Sequence, residues 1–347
     1  MIALSKVGIQ CLWVRPEFID IGPRYGESLS PHANPILEQL DLEYLLDSAH
    51  HRHSNSTFSA WGSDVLIEKN SAIHVDGAGF VLNRSHFERE MFAVASEVAA
   101  ELAVGMLKSS APCNRGWKLC VEELGEFEIE FLVDATGRAQ KIGRDLAGSD
   151  HDDHLVAAYW FLSQVDRSSV DPTPATVIET SENGWWYAAF LPNGQLSVNY
   201  YSDPDLIPTG LVRNKEVWCD LVGSTKFVSR WIADAEFVLT QPSGMTSAAT
   251  RSLRTSAGLS EQAPWAAVGD ASISFDPLSG HGMTSALWAA SRMPTIVSRS
   301  LKGDHQLLHE YDLSVAKAKQ QFLQQRKHLY SQERRFKDSL FWRRRQF

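Results

Sequence analysis

The sequence predicts a mixed α/β chain in which β/α elements at both ends bracket an antiparallel sheet. Three observations predict it. Apolar residues at Phe87, Met91, Val94, Val98 and Leu102 recur in steps of four, three, four and four, the period of an amphipathic helix. Residues 156–162, 185–191 and 196–201 are rich in aromatic and β-branched side chains, and Pro192-Asn193-Gly194 supplies a turn between the last two. Trp265-Ala266-Ala267-Val268 reads as a short buried strand that ends in Gly269-Asp270; a glycine-punctuated loop and a helical pattern over about 283–300 follow.

Taken in order, the chain opens as a helix end at residues 3–6, a turn at Gly8 and a buried strand over 9–14. The 87–102 helix is followed by a hairpin. Trp117, Leu119 and Val121 alternate with polar neighbours, Gly125 marks the turn, and Phe127, Ile129, Phe131 and Val133 alternate in a second strand that ends in Asp134-Ala135-Thr136-Gly137-Arg138. An antiparallel sheet over about 155–255 and the strand-loop-helix come next. The tail over 306–345 reads as helical and becomes Arg-rich. At 347 residues the chain is long enough for one large domain or two interlocked ones.

Composition excludes several classes. Asp and Glu outnumber Lys and Arg by 42 to 33, so the chain lacks the basic field of a general nucleic-acid binder. No run approaches the roughly 18–20 apolar residues of a membrane span. Cys11, Cys113, Cys120 and Cys219 form no C-x-x-C pair, so reduced thiols and a cytoplasmic setting are expected. His50, His51 and His53 beside Arg52, and His151-Asp152-Asp153-His154, look metal-like, but a polar loop and a solvated linker are the preferred readings, and no metal is expected.

The residues around 265–284 carry the strongest chemistry. A strand end delivers the Asp270 carboxylate, which suits a polyol hydroxyl. Pro277, Gly280 and Gly282 then let backbone N–H groups approach a ligand at a helix start, where the local field favours negative charge.

The run G-D-A-x-x-x-x-D-P-x-x-G-x-G formed by Gly269, Asp270, Ala271, Asp276, Pro277, Gly280 and Gly282 resembles the second FAD motif of the group A flavoprotein monooxygenases and flavin-dependent halogenases. Asp134-Ala135-Thr136-Gly137-Arg138 resembles their D-A-T-G-R strand end. Tyr25-Gly26-Glu27-Ser28-Leu29 resembles a loop near the flavin. Asn83-Arg84 with Phe87 resembles a D-R-x-x-F helix start, with Asn in place of Asp. The matches occur in family order over nearly the whole chain. The resemblance implies a doubly wound, Rossmann-like FAD-binding domain from residues 1–150 and 256–305, interleaved with an antiparallel substrate domain at 151–255 and followed by a helical segment at 306–347. It implies FAD contacts from Glu27, Ser28, Arg84, Asp134, Gly137, Asp270, Pro277, Gly280 and Gly282. It also implies O2 as co-substrate, and NAD(P)H or a separate reductase as electron donor.

A narrower resemblance rests on Gly184-Trp185-Trp186-Tyr187 with Leu191-Pro192, on Trp61-Gly62-Ser63-Asp64, and on the 333–344 tail. These look like the tryptophan-halogenase-like branch that includes flavoprotein maturases of tryptophylquinone amine oxidases and dehydrogenases. The implied activity is hydroxylation of an electron-rich ring, a tryptophan of a partner quinoprotein above all. Alternatives are a halogenase, a small-molecule aromatic hydroxylase, or a degenerate binding or chaperone-like factor without FAD. The halogenase pattern W-x-W-x-I-P is not met, and Lys69 is the nearest candidate for its lysine. Trp185 and Trp186 with Tyr187 line the substrate side or simply pack a strand. His281 faces the flavin or replaces a Gln common there. The Arg-rich tail (Arg334, Arg335, Arg343, Arg344, Arg345) contacts a partner or is a solvated helix end.

One expected feature is missing. No G-x-G-x-x-G spacing occurs, and Arg15 with Glu17 stands where an acidic ribose ligand is expected. A start downstream of the true one, lacking one βα unit, is the preferred explanation; a relative that no longer binds FAD is the other.

Overall fold

The computed structural model describes residues 1–17, 26–47, 49–54, 56–70, 74–167, 169–240 and 243–346. Its largest layer is an eight-stranded sheet in the order Phe237–Leu239, Val156–Gln164, Gln195–Ser202, Gly184–Phe190, Thr176–Ser181, Ser56–Ala60 and Ile67–Asn70, with Gly244–Ser247 also pairing with Val156–Gln164. Pairing is antiparallel except where Thr176–Ser181 runs parallel to Ser56–Ala60. The sheet thus takes two strands from outside the 151–255 span. The expected turn at residues 192–194 joins Gly184–Phe190 to Gln195–Ser202, closed by the Gly194 N–H on the Leu191 carbonyl.

Both faces of this sheet are covered, which explains why its strands read as nearly continuous apolar runs. Alternation puts Trp186 and Ala188 on one face with Trp160, Val198 and Tyr200, under the helices Lys215–Gly223 and Val228–Asp234 through Trp218, Val222 and Val228. Trp185 lies on the other face with Tyr201, Tyr330, Phe341 and Trp342. Trp185 stacks on Tyr201 with centroids 4.0 Å apart.

The remaining strands form smaller sheets. Leu12–Arg15 runs parallel to Glu101–Val104, and Leu132–Asp134 runs parallel to Ala263–Ala267. Among the described residues these two parallel pieces share no strand pairing, although Leu12 and Val14 pack on the apolar cluster that contains Leu132, Trp117 and Trp265. The hairpin expected near Gly125 forms between Gly116–Val121 and Gly125–Ile129, and Leu107–Cys113 adds a third strand. Gly282–Ser300 and Gln306–Ser331 pack together over Ala266 and Ile273.

Three boundaries differ from the sequence pattern. The helix Arg84–Val98 stops before Leu102, which belongs to Glu101–Val104, because the Glu101 and Gly105 N–H groups are taken by the Cys11 and Arg15 carbonyls. The strand run ending at Asp134 is two strands in different sheets. The tail is broken into Gln306–Ser331 and Leu340–Gln346.

That break is a clasp. Glu333 is fully buried and accepts from the Gly62 N–H (3.0 Å), the Thr180 hydroxyl (2.5 Å) and Arg335. Gly62 sits at φ +68°, and a Cβ there would lie 2.6 Å from the Gln332 carbonyl, so only glycine allows this approach. Beyond it, Arg345 and Arg344 pair with Asp203, and Arg344 also pairs with Asp205 (2.8 Å). Arg344 and Arg345 are therefore bound within the chain rather than free for a partner, while Arg334 and Arg343 are exposed. Asp203→Ala strands the buried Arg345 guanidinium and is expected to destabilise the fold by about 3 kcal/mol, whereas Asp205→Ala leaves stability nearly unchanged. Urea midpoints at constant slope measure both, and equal effects would contradict this account of the clasp.

Candidate functional site

The strand Ala263–Ala267 is buried throughout and hands the chain to Asp270 through Gly269, whose φ of +58° makes the tight exit. The Asp270 side chain is about one-third exposed, with Arg138 Nε 3.4 Å away. Desolvation pushes its carboxyl up from the ordinary value, and Arg138 and Arg84 oppose the shift. The loop that follows is held by a second carboxylate. Asp276 is 1% exposed; one oxygen accepts from the Leu278 N–H (2.9 Å) and the other from the Tyr330 hydroxyl (2.8 Å). Tyr330 in turn accepts from Trp185 Nε1 (3.0 Å). This chain ties loop, C-terminal helix and sheet together. Gly280 and Gly282 line the start of the 19-residue helix Gly282–Ser300, with no atom within 4 Å of where a Cβ would stand. In the helix's first turn the buried Thr284 hydroxyl has no partner.

Asp134 is placed differently from Asp270. It is fully buried, and its oxygens accept from Thr136 N–H (2.9 Å), Thr136 Oγ1 (2.7 Å), Ile142 N–H (3.0 Å) and Gly143 N–H (2.8 Å). These bonds shape the turn through Gly137 and leave Arg138 aimed at Asp270, its Nη1 donating to the Ala249 carbonyl (2.8 Å).

Opposite this loop stands the 26–29 segment; Tyr25 lies outside the described residues. Arg84 Nη1 donates to the Gly26 carbonyl (2.7 Å) and its guanidinium also pairs with Glu88. Asn83 caps this helix by accepting from the His86 N–H (3.1 Å), the task an Asp performs equally well. Ser28 pairs with Val81 through the backbone. Glu27 is 1% exposed and neither carboxyl oxygen has a hydrogen-bond partner. Burial pushes its pKa up, with Ser197 and Arg84 opposing. Asn199 Oδ1 is likewise buried without a partner, and burial, then Glu27, push the Tyr187 hydroxyl up, with Thr176 opposing.

His281 is exposed before the helix start and its imidazole is held below the usual value by desolvation, then by His32 and Lys69. Pro277 opens the short turn Pro277–Ser279. Trp185 and Trp186 are 1% and 0% exposed and face opposite ways. Of the other histidines, His50 stacks on His86 (4.0 Å), and His51 Nδ1 accepts from the Asn83 N–H (3.2 Å); burial, then His86 and His50, lower His51 to about 4. They brace a helix start. Asp153 of the 151–154 run pairs with Arg326, and Asp150 before it pairs with Arg254. At the end of Leu12–Arg15 the Arg15 guanidinium lies over the Phe92 ring (4.5 Å) and Glu17 is exposed. Sequence reasoning missed the roles of Tyr330 and Glu333, whose partners Asp276, Trp185, Thr180 and Gly62 lie 54 to 271 residues away and leave no local signal.

The fold is that of the flavin-dependent halogenases and related FAD-dependent oxidoreductases. No family profile matches the chain. It is 27% identical over 331 residues to "Putative FAD-dependent oxidoreductase LodB" of Marinomonas mediterranea, covering 93% of this chain and 86% of that protein. Among solved structures, the flavin-dependent halogenase CmlS superposes with a TM-score of 0.83 at 19% identity over 100% of this chain, which spans 64% of the length of CmlS. The myxobacterial chondrochloren halogenase CndH gives 0.85 at 16% identity, covering 100% of this chain and 82% of CndH. QhpG, a peptidyl tryptophan dihydroxylase essential for tryptophylquinone cofactor biogenesis, gives 0.70 at 20% identity, covering 99% of this chain and 75% of QhpG.

The unpartnered Glu27 makes a prediction about pH. The folded state keeps the Glu27 proton to a higher pH than the unfolded chain, whose carboxyl titrates near 4.5. Unfolding then releases a proton, so this residue's contribution is lost as pH rises from that value through the raised one. Urea midpoints of wild type and Glu27→Gln, compared at about pH 5 and about pH 8, are expected to move in the variant's favour at the higher pH. A pH-independent difference would show that Glu27 is ionised in the fold.

Proposed function

We propose that this protein is an FAD-dependent monooxygenase that hydroxylates an electron-rich aromatic ring, with a tryptophan side chain of a partner protein as the preferred substrate. The observation that carries the reading is the Asp270–Arg138 pair beside the open Gly280/Gly282 helix start, in a fold shared with flavin-dependent enzymes. The similarity to QhpG, a peptidyl tryptophan dihydroxylase essential for tryptophylquinone cofactor biogenesis, supports a protein substrate such as a quinoprotein amine oxidase or dehydrogenase subunit, and the similarity to LodB supports an FAD-dependent oxidoreductase.

The residues present suit the flavin end of FAD. Asp270 would accept from the ribityl hydroxyls, with Arg138 holding the carboxylate in place. The Pro277, Gly280 and Gly282 backbone would border the ring system, and the unpartnered Thr284 hydroxyl offers a further polar contact. Gly26 and Ser28 would border it from the opposite loop, kept in position by Arg84, and Gly137 would flank the adenosine side. When bound and reduced, FAD supplies the electrons for O2 activation; NAD(P)H or a separate reductase would replenish them. One oxygen atom enters the ring and the other leaves as water. Glu27, whose carboxyl burial shifts toward its protonated form, would occupy a closed, desolvated position suited to controlling protonation during that exchange. His281 stands at the loop's outer rim. Trp185 acts as a positioning residue through Tyr330 and Asp276, and Trp186 supports the sheet from its far face.

A halogenase reading draws on the fold shared with CmlS and CndH. A binding or chaperone-like role without FAD is favoured by the absence of G-x-G-x-x-G from the sequence and by two parallel strand pairs that, among the described residues, do not join.

The purified protein is expected to bind FAD with a shifted flavin absorbance. Asp270→Ala should weaken binding by about 10–100-fold, since a hydrogen bond to a charged group contributes roughly 1.5–3 kcal/mol. Protein that stays colourless with added FAD supports the non-catalytic factor, and unchanged affinity in the variant rejects the role of Asp270. Mass spectrometry of a co-expressed quinoprotein subunit should show oxygen added at tryptophan; a halogen isotope pattern would select the halogenase instead.

A further inference from the structure

One cluster of ligand-type side chains takes no part in the site above. His32, His74 and Asp76 bring their ligand atoms within 4.8 Å of one another. His32 Nδ1 lies 2.7 Å and His74 Nδ1 3.8 Å from Asp76 Oδ2, and the two imidazoles meet edge to face with centroids 4.7 Å apart. The supports are firm. His32 sits in the turn Pro31–Ala33, whose proline fixes the first φ. The 74–77 turn closes through the Gly77 N–H on the His74 carbonyl (3.0 Å), with Gly77 at φ +81°. Asn34 Nδ2 then staples the two segments by donating to the Asp76 and Ala78 carbonyls (2.8 and 3.0 Å).

Two imidazoles and a carboxylate form the donor set that suits a borderline divalent cation, with bonds of about 2.0–2.2 Å and a position left open. We propose that His32, His74 and Asp76 form a binding site for a zinc-class divalent cation, open to water or an anionic oxygen ligand. The donors close in modestly around the ion, and His74 Nδ1 exchanges its weak contact with the Asp76 N–H (3.1 Å) for the metal. All three side chains reach solvent, which gives the ion an entry path. The inference stands independently of FAD.

The test uses the whole chain, stripped with a chelator and without added flavin. Titration with Zn2+ against a chromophoric competitor is expected to give stoichiometric binding, and Co2+ should develop visible ligand-field bands. His32→Ala and Asp76→Asn should each weaken Zn2+ binding by at least about ten-fold, as loss of metal-site contacts does elsewhere, with unchanged melting of the metal-free protein. His50→Ala, in the separate histidine stack, should bind as wild type. Failure to bind Zn2+ at micromolar concentration means that the cluster is a histidine–aspartate pair and nothing more. Binding that survives both His32→Ala and Asp76→Asn equally overturns the proposal.

Discussion

Asp276 has almost no exposed surface and must find its donors inside the protein, because an unpaired buried carboxyl group is expensive. It finds them in two directions. The Leu278 N–H holds the start of the glycine loop, and the Tyr330 hydroxyl, itself bonded to Trp185, holds the C-terminal helix and the large sheet. The glycine loop, the C-terminal helix and the large sheet are tied together at this point. The loop leads into the helix Gly282–Ser300, and that helix packs on the strand that delivers Asp270. The raised pKa of Asp276 has burial as its leading cause, with the Leu278 N–H opposing it. The group is therefore a constraint on packing before it is anything chemical.

The same economy governs the C-terminal segment. Phe341 and Trp342 are fully buried against the sheet, and Trp342 Nε1 donates to the Ser181 carbonyl (2.9 Å). Glu333 and Asp203 then neutralise the arginines that accompany this apolar anchor. A charged tail that reads as solvated is instead the lid of one sheet face. Because the other face is covered by two helices, Trp185 and Trp186 both lie in packed interior and neither is free to form a wall of an open cleft.

Buried polar atoms without partners occur in several parts of the fold, the segments around the candidate site among them. Glu27 and Asn199 hold buried atoms without partners, and so does Thr284 at the helix start. Native proteins leave few such atoms, and they tend to mark places where something else completes the bonding. The fold is shared with flavin-dependent enzymes at identities of 20% or less, a range in which architecture persists while substrate contacts change.

By itself the sequence determined the architecture. Helical periodicity, β-rich runs, the turn at Pro192-Asn193-Gly194 and the strand-Asp-glycine-helix order are local signals, set by backbone preference and side-chain alternation over a few residues. They located Asp270 and the helix after it almost to the residue. Only tertiary structure decided what the polar groups do. Asp134 and Asp270 follow similar strand ends, yet one is consumed by its own turn and the other keeps a partly exposed carboxylate beside Arg138. Trp185 meets Tyr330 across 145 residues, and Thr180 meets Glu333 across 153. His32 meets Asp76 across 44. Hydrogen bonding and ligand geometry are fixed by distances of about 3 Å between atoms, and no local pattern encodes which distant segments will come that close.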